Sequence, residues 1–365
     1  MTVALVITAR PSYSRVRTLI PALRERGVTV QVIVAGSALL YRYGSVVDLI
    51  TQDCGPVERA YTVVEGETHE TTAKSTGLVT MDVAAILRRL KPDAVIVHAD
   101  RHEVLGAAIA ARYLELPLIH LQGGEQTGSI DDRVRDAITQ LADLHLVSTV
   151  TAQHRVRTMR EQRAIVTGCP SIDVALEGRQ GPPVTFEELG GAGATLDLSQ
   201  PFLVVLQHPT SDHAGQAFDE MAGTLLAVRE TGYQAIVFWP GNEAGTDGAS
   251  KAIRLAARTW PIRTVRNLPP ERFIRLLTHA ACLVGSSSAG IRECSALGVP
   301  AVNIGTRQAG RERAQNVIDC EDYTDADDAI RWQVRHGAYP PSMLYGDGTG
   351  GVRMAEAIAT WLEAR

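Results

Sequence analysis

Short apolar runs alternate with amphipathic stretches from one end of this chain to the other, and that rhythm restricts the fold more than any other feature. In the first half, runs at 3–8, 29–34, 94–97, 118–121 and 145–147 read as strands buried on both faces. Between them, Val16, Leu19, Ile20 and Leu23, and later Val83, Ile86, Leu87 and Leu90, recur at the spacing of one helix face. The second half repeats the rhythm with runs at 202–206, 235–238, 262–265, 282–284 and 301–304. Strands and helices in alternation build a parallel sheet with helices on both faces. Two such series predict an α/β chain of two Rossmann-like domains with a central cleft, with ligands bound outside the carboxyl ends of the strands. At 365 residues there is enough chain for two cores. The rhythm lapses at Pro182 and Pro183 and through the flexible, glycine-rich stretch 188–195. The expected division is therefore 1–180, 181–345 and a closing segment, 346–365, whose Val352, Ala355, Ile358 and Leu362 share a helical face.

Composition removes several classes of function. A formal net charge of −5 speaks against nucleic acid as a bulk electrostatic partner. No apolar run approaches the roughly 20 residues that a membrane helix needs. The amino terminus lacks a basic region before its apolar run, so the expected location is cytoplasmic. The five cysteines are scattered without a C-x-x-C pair, which predicts reduced thiols and no zinc site.

Polar clusters follow the predicted strands where a ligand is expected. GlySerSerSerAlaGlyIleArgGlu (285–293) leaves an apolar run and opens a helix-like pattern. Free N–H groups and the positive dipole end of a first helical turn favour a phosphate. Ser287 and Ser288 are candidate phosphate ligands there, and Glu293 can accept hydrogen bonds from a ribose. AlaArgProSerTyrSer (9–14) ends the first run with Arg10, whose planar fork suits a diphosphate, and Ser14. HisAlaAspArgHisGlu (98–103) sets Asp100 and Arg101 at a strand-to-helix junction, either as an acid or base beside a phosphate contact or as a salt bridge with a cap. The run 122–135 then gathers Glu125, Asp131 and Asp132 beside three glycines. Carboxylates held close raise each other's pKa, which suits proton transfer near neutral pH, whereas a solvated acidic turn is the competing reading. Arg133 and Arg135 would partly neutralise them under either reading. GlnHisPro (207–209) brings His208 to a strand end, 239–245 brings Asn242, and 305–312 brings Arg307 and Arg311.

In this order, and spanning nearly the whole chain, these motifs together with TyrGlyAspGly (345–348) resemble the UDP-N-acetylglucosamine 2-epimerase family, and within it the hydrolysing branch. The resemblance implies a GT-B fold that closes on a nucleotide sugar. Hydrolysing members eliminate UDP across C1–C2 and add water to the resulting 2-acetamidoglucal, releasing free N-acetylmannosamine. By position the resemblance implies catalytic roles for Asp100, Glu125, Asp131 and His208. It places Arg10, Ser14, Arg101, Asn242, Ser287, Ser288, Glu293 and Arg307 around the nucleotide, and Gln122, Asp132 and Arg135 toward the sugar. It implies no metal or other cofactor, a UDP-linked sugar as partner, and a homo-oligomer, dimer or tetramer. Gln122 departs from the pattern, because relatives often carry Glu or His there and an amide cannot exchange a proton as they do. Asp136 departs too, standing where the hydrolysing branch usually has His. Two other readings stay open: a retaining glycosyltransferase of the same fold, and a nucleotide-sugar binder with altered catalysis.

Overall fold

The computed structural model describes every residue except Ser45, Glu67, residues 160–162 and Asn242. The chain forms two α/β units. One contains Met1–Glu125, Ile130–Asp173 and Tyr345–Arg365; the other contains Gln126–Ser129 and Val174–Leu344.

The first unit is built on seven strands: β1 (Thr2–Ile7), β2 (Thr29–Ala35), β3 (Glu58–Ala60), β4 (Ala94–His98), β5 (Leu118–Leu121), β6 (Leu144–Val147) and β7 (Ala164–Val166). They lie in the order β3-β2-β1-β4-β5-β6-β7, and every pairing is parallel. The order reverses between β1 and β4, which is the doubly wound arrangement with its ligand-binding switch point. Alternate residues of β1 feed opposite cores. Val3, Leu5 and Ile7 pack with the helices Leu19–Glu25 and Gly350–Glu363, whereas Ala4 and Val6 face the helices His69–Leu90 and His102–Tyr113. Covering both faces explains why these strands read as predominantly apolar runs. The closing helix thus belongs to the first unit. Ala355, Ile358 and Leu362 are buried in it as expected, but Val352 is exposed and Met354 is buried in its place.

The second unit has β8 (Ala192–Gly193), β9 (Phe202–Val205), β10 (Gln234–Phe238), β11 (Arg263–Val265), β12 (Cys282–Gly285), β13 (Ala301–Ile304) and β14 (Val317–Cys320). Their order is β14-β13-β12-β9-β10-β11-β8, with β8 alone antiparallel. The switch point falls between β9 and β12, so both units repeat one winding.

Two features differ from the sequence reading. The stretch 188–195 is not a flexible linker. Thr185 and Glu188 form a reciprocal capping box on the helix Phe186–Leu189, after which the chain adds β8 to the sheet edge. Arg263 fixes that edge by donating to the carbonyls of Gly190 at 2.6 Å and Gly193 at 3.1 Å. The chain passes between units earlier, after Asp173, inside the helix Pro170–Gly178, and returns after Leu344. Secondly, β3, β7, β8 and β14 were not expected. Each is an edge strand of two to four residues, β8 exposed throughout and the others only partly buried, and so lacks the apolar run that marked the rest.

Candidate active site

In the first unit, the singled-out residues stand at the carboxyl ends of β1, β4 and β5 and on the helix Ile130–Leu141. After β1, Ala9 precedes the short helix Arg10–Ser14, with Pro11 in its first turn. Arg10 and Ser14 are both half-buried, and the Ser14 hydroxyl donates to the Pro11 carbonyl at 2.9 Å. After β4, Ala99 adopts φ +64°, and after β5, Gln122 adopts φ +61°. A non-glycine residue in this left-handed region costs on the order of 1–3 kcal/mol, and such strain concentrates at functional sites. Here it occurs at two neighbouring strand ends, immediately before Asp100 and immediately before the GlyGlyGlu turn.

Arg135 organises this corner. It is among the most buried large side chains, at 1% exposure, and its guanidinium donates to the Asp100 carboxylate, to the Asp132 carboxylate at 2.6 Å and to the backbone carbonyl of Glu125. One buried cation therefore ties together the β4 end, the turn after β5 and the first turn of the helix Ile130–Leu141. Arg135, expected toward the sugar, is buried here with both terminal nitrogens donating to protein oxygens. Sequence reasoning missed Arg155, which pairs with Asp136 at 2.6 Å and donates to the Glu125 carbonyl at 3.2 Å. No local motif marks Arg155; it arrives from the helix Val150–Met159 through folding alone. Glu125 is buried and Asp131 half-buried. The expected cluster of mutually repelling carboxylates is interleaved with arginines. Asp136 has a raised pKa because of burial, a rise opposed by Arg155 and Arg135.

Arg101 precedes the helix His102–Tyr113 and donates from Nε to Glu103 at 3.1 Å, and His102 lies 3.3 Å from the same oxygen. Glu103 is wholly buried. Burial opposes its ionised form, but Arg101 and His102 outweigh it and hold the carboxyl below its ordinary value. Gln122, buried at the β5 end, donates from its amide to the Cys169 sulfur at 2.8 Å, leaving its Oε1 with no hydrogen-bond partner among the described residues.

In the second unit, Ser286 holds together the ends of β9 and β12. Its hydroxyl accepts from the His208 N–H at 3.0 Å and donates to the His208 carbonyl at 3.1 Å. Its own carbonyl accepts from Gln308 at 2.9 Å and from Arg307 at 3.2 Å. Ser286 carries no signal of its own in the sequence, because a hydroxyl's two-way role is visible only once the loops meet. Ser287 caps the next helix by accepting from the Ala289 N–H at 3.2 Å, and Ser288 is half-buried at its start. That helix is not continuous: Ser288–Ile291 and Glu293–Leu297 are separated at Arg292, so Glu293 opens a second short turn. Glu293 is nevertheless buried, with Oε2 unpartnered among the described residues. Gly290 lets the first turn press on the sheet, since a Cβ there would lie 3.1 Å from Leu283 and 3.2 Å from Ala301. The glycine-rich run 122–135 is divided between the units: Gln126–Ser129 packs with the second, where Gly128 approaches Thr306 and Gly310 approaches Gln126. Asn242 lies outside the described residues. Among the described residues no group of three or more His, Cys, Asp or Glu is arranged to hold a metal, and no helix is long and apolar enough to cross a membrane.

A protein-family profile described as UDP-N-acetylglucosamine 2-epimerase matches residues 21–359. A Legionella pneumophila protein named UDP-N,N'-diacetylbacillosamine 2-epimerase (hydrolyzing) is 29% identical, the match covering 97% of this chain and 94% of that protein. A Neisseria meningitidis UDP-N-acetylglucosamine 2-epimerase is 27% identical over 96% of this chain and 94% of its own. Among solved structures, the Methanocaldococcus jannaschii UDP-GlcNAc 2-epimerase in complex with UDP-GlcNAc and UDP superimposes with a TM-score of 0.81 at 15% identity, over 99% of this chain and 100% of that one. That likeness bears out the α/β, GT-B fold class.

Proposed function

The chain belongs to the UDP-N-acetylglucosamine 2-epimerase family, and from that membership we propose that it is a hydrolysing 2-epimerase of a UDP-linked N-acetylated sugar, UDP-N-acetylglucosamine or a close relative. The observation that carries the reading is the carboxylate set of the first unit, in which Asp100 after β4, held by buried Arg135, accompanies Glu125 in the turn after β5 and Asp131 in the first turn of the helix Ile130–Leu141. The hydrolysing designation of the Legionella relative, and the diacetylated sugar in its name, support the finer assignment.

In this reading a base removes the proton at C2, the C–H electrons form the C1–C2 double bond, and the C1–O bond breaks to release UDP. Water then adds at C1 while a proton returns to C2 on the opposite face, giving a free sugar inverted at C2. The C2 proton beside an acetamido group is weakly acidic, so its removal needs a placed base together with stabilisation of the departing diphosphate. Asp100, Glu125, Asp131 and His208 serve the proton transfers. Ser287, Ser288, Arg10, Ser14, Arg101, Arg307 and Asn242 bind the nucleotide and its phosphates, and Gln122 and Asp132 face the sugar. Oε2 of Glu293, buried without a hydrogen-bond partner among the described residues, supports its assignment to the ribose hydroxyls. The reading extends to a cytoplasmic homo-oligomer that needs no redox cofactor.

The test is turnover of UDP-N-acetylglucosamine in D2O followed by NMR, with the diacetylated analogue as a second substrate. Free N-acetylmannosamine carrying deuterium at C2, with UDP released in equal amount, is the expected result. A product still joined to UDP would place the chain in the non-hydrolysing branch. Free N-acetylglucosamine that keeps its C2 proton would reduce the reaction to simple hydrolysis and end the epimerase reading.

A further inference from the structure

His120 lies on β5, fully buried, and hydrogen-bonds on both sides of its ring. Its Nε2 is 2.9 Å from the carbonyl oxygen of Ala99, and its Nδ1 is 3.2 Å from the Thr139 hydroxyl. A carbonyl only accepts, so Nε2 carries the proton. Burial pushes the His120 pKa down to about 3, so the ring is neutral, Nδ1 is an acceptor, and the Thr139 hydroxyl donates to it. The Ala99 N–H is also held by β5, through the Leu121 carbonyl at 2.9 Å. Both backbone groups of a left-handed alanine are therefore fixed from β5, directly before Asp100. Thr139 sits on the helix Ile130–Leu141, the same helix whose Arg135 grips the Asp100 carboxylate. Gly123 leaves the space this bridge needs, because a Cβ there would lie 2.9 Å from both His120 Nδ1 and Thr139 Oγ1.

We infer that His120 is a positioning residue for Asp100: by holding the Ala99 carbonyl it locks the left-handed turn that aims the Asp100 side chain. The inference rests on the reading of Asp100 as part of the proton-transfer machinery. Left-handed φ is unfavourable for alanine but free for glycine. Removing the His120 donor lets Ala99 relax and moves the carboxylate, and a displacement of about 1 Å is enough to cost turnover heavily.

The experiment compares two amides. In His120→Gln the amide reaches as far as Nε2 and retains the bond to Ala99; in His120→Asn it falls short and retains only the side toward Thr139. Steady-state release of UDP from the nucleotide sugar should lose about tenfold or more in kcat for His120→Asn and stay within about threefold for His120→Gln, with KM and UDP affinity little changed in both. Adding Ala99→Gly to His120→Asn should recover several-fold of the loss, because glycine adopts the left-handed turn without the strain that drives alanine out of it. Equal kcat for the two amides, misfolding of both, or no recovery of folding or turnover by Ala99→Gly would overturn the inference and assign His120 to core packing. A wild-type chain that leaves the nucleotide sugar untouched would instead remove the reading of Asp100, and this inference with it.

Discussion

At the scale of single residues, the first unit depends on cations buried among carboxylates. Removing one partner of a buried ion pair leaves the other charge uncompensated, which is costlier than never having built the pair. Arg135→Met leaves Asp100, Asp132 and the Glu125 carbonyl without their shared donor. It should cost about 3 kcal/mol in urea-induced unfolding and also depress kcat, with UDP affinity unchanged. A variant as stable as wild type would remove Arg135 from its organising role. Glu103 supplies the pH test. Its folded pKa lies below the ordinary value of 4.5, so between those two values the unfolded chain binds more protons than the folded one. The stability it contributes is therefore complete above pH 4.5 and is lost as the pH falls through the folded value. Glu103→Gln should be less stable than wild type by up to about 3 kcal/mol at pH 7, and the gap should close in acid. A gap that is constant across that range would show that the charge of Glu103 contributes nothing.

At the scale of elements, the proposed site lies where strands stop. In the second unit the β9 and β12 ends are joined by a hydroxyl that both donates to and accepts from one residue, His208, while the Ser286 carbonyl anchors the turn bearing Arg307. Ser286→Ala should lower stability by about 1–2 kcal/mol, the worth of the two bonds lost. It should also weaken UDP binding measured by calorimetry, because the loops it joins carry His208 and Arg307. Unaltered UDP affinity would show that the two loops hold their places independently. The same scale explains part of what was legible beforehand. Asp100, His208 and Ser287 could be placed at strand ends because apolar runs stop abruptly there. The break at Arg292 could not, since neither Gly nor Pro marks it.

At the scale of the whole chain, the backbone leaves the first unit after Asp173 and returns to it at Tyr345. Asp173 secures the returning segment. Its carboxylate accepts from the N–H groups of Gly350 at 2.8 Å and Gly351 at 2.7 Å, and from Thr18 at 2.8 Å. The helix Gly350–Glu363 has no side-chain cap from Thr349, so Asp173 acts in that place from far away in sequence. Asp173→Ala leaves those donors without their acceptor and should cost about 2–3 kcal/mol. Hydrogen exchange in 350–363 should rise before exchange in β1 does. Uniform protection across both segments would contradict a local fastening role.

What the sequence determined by itself follows from local physics. Strands covered on both faces are predominantly apolar, so β1, β4, β5, β9 and β13 were readable, and with them the α/β class. The closing helix was readable from its period, apart from the exchange of Val352 for Met354 on the buried side. Edge strands such as β8 are too short and too exposed to carry that signal. The roles of Arg135, Arg155, His120 and Ser286 were decided only in three dimensions. Each acts through partners on other elements, such as Asp100 for Arg135, Ala99 for His120 and His208 for Ser286. Burial and hydrogen-bond geometry belong to the assembled sheet ends, and no window of neighbouring residues contains them.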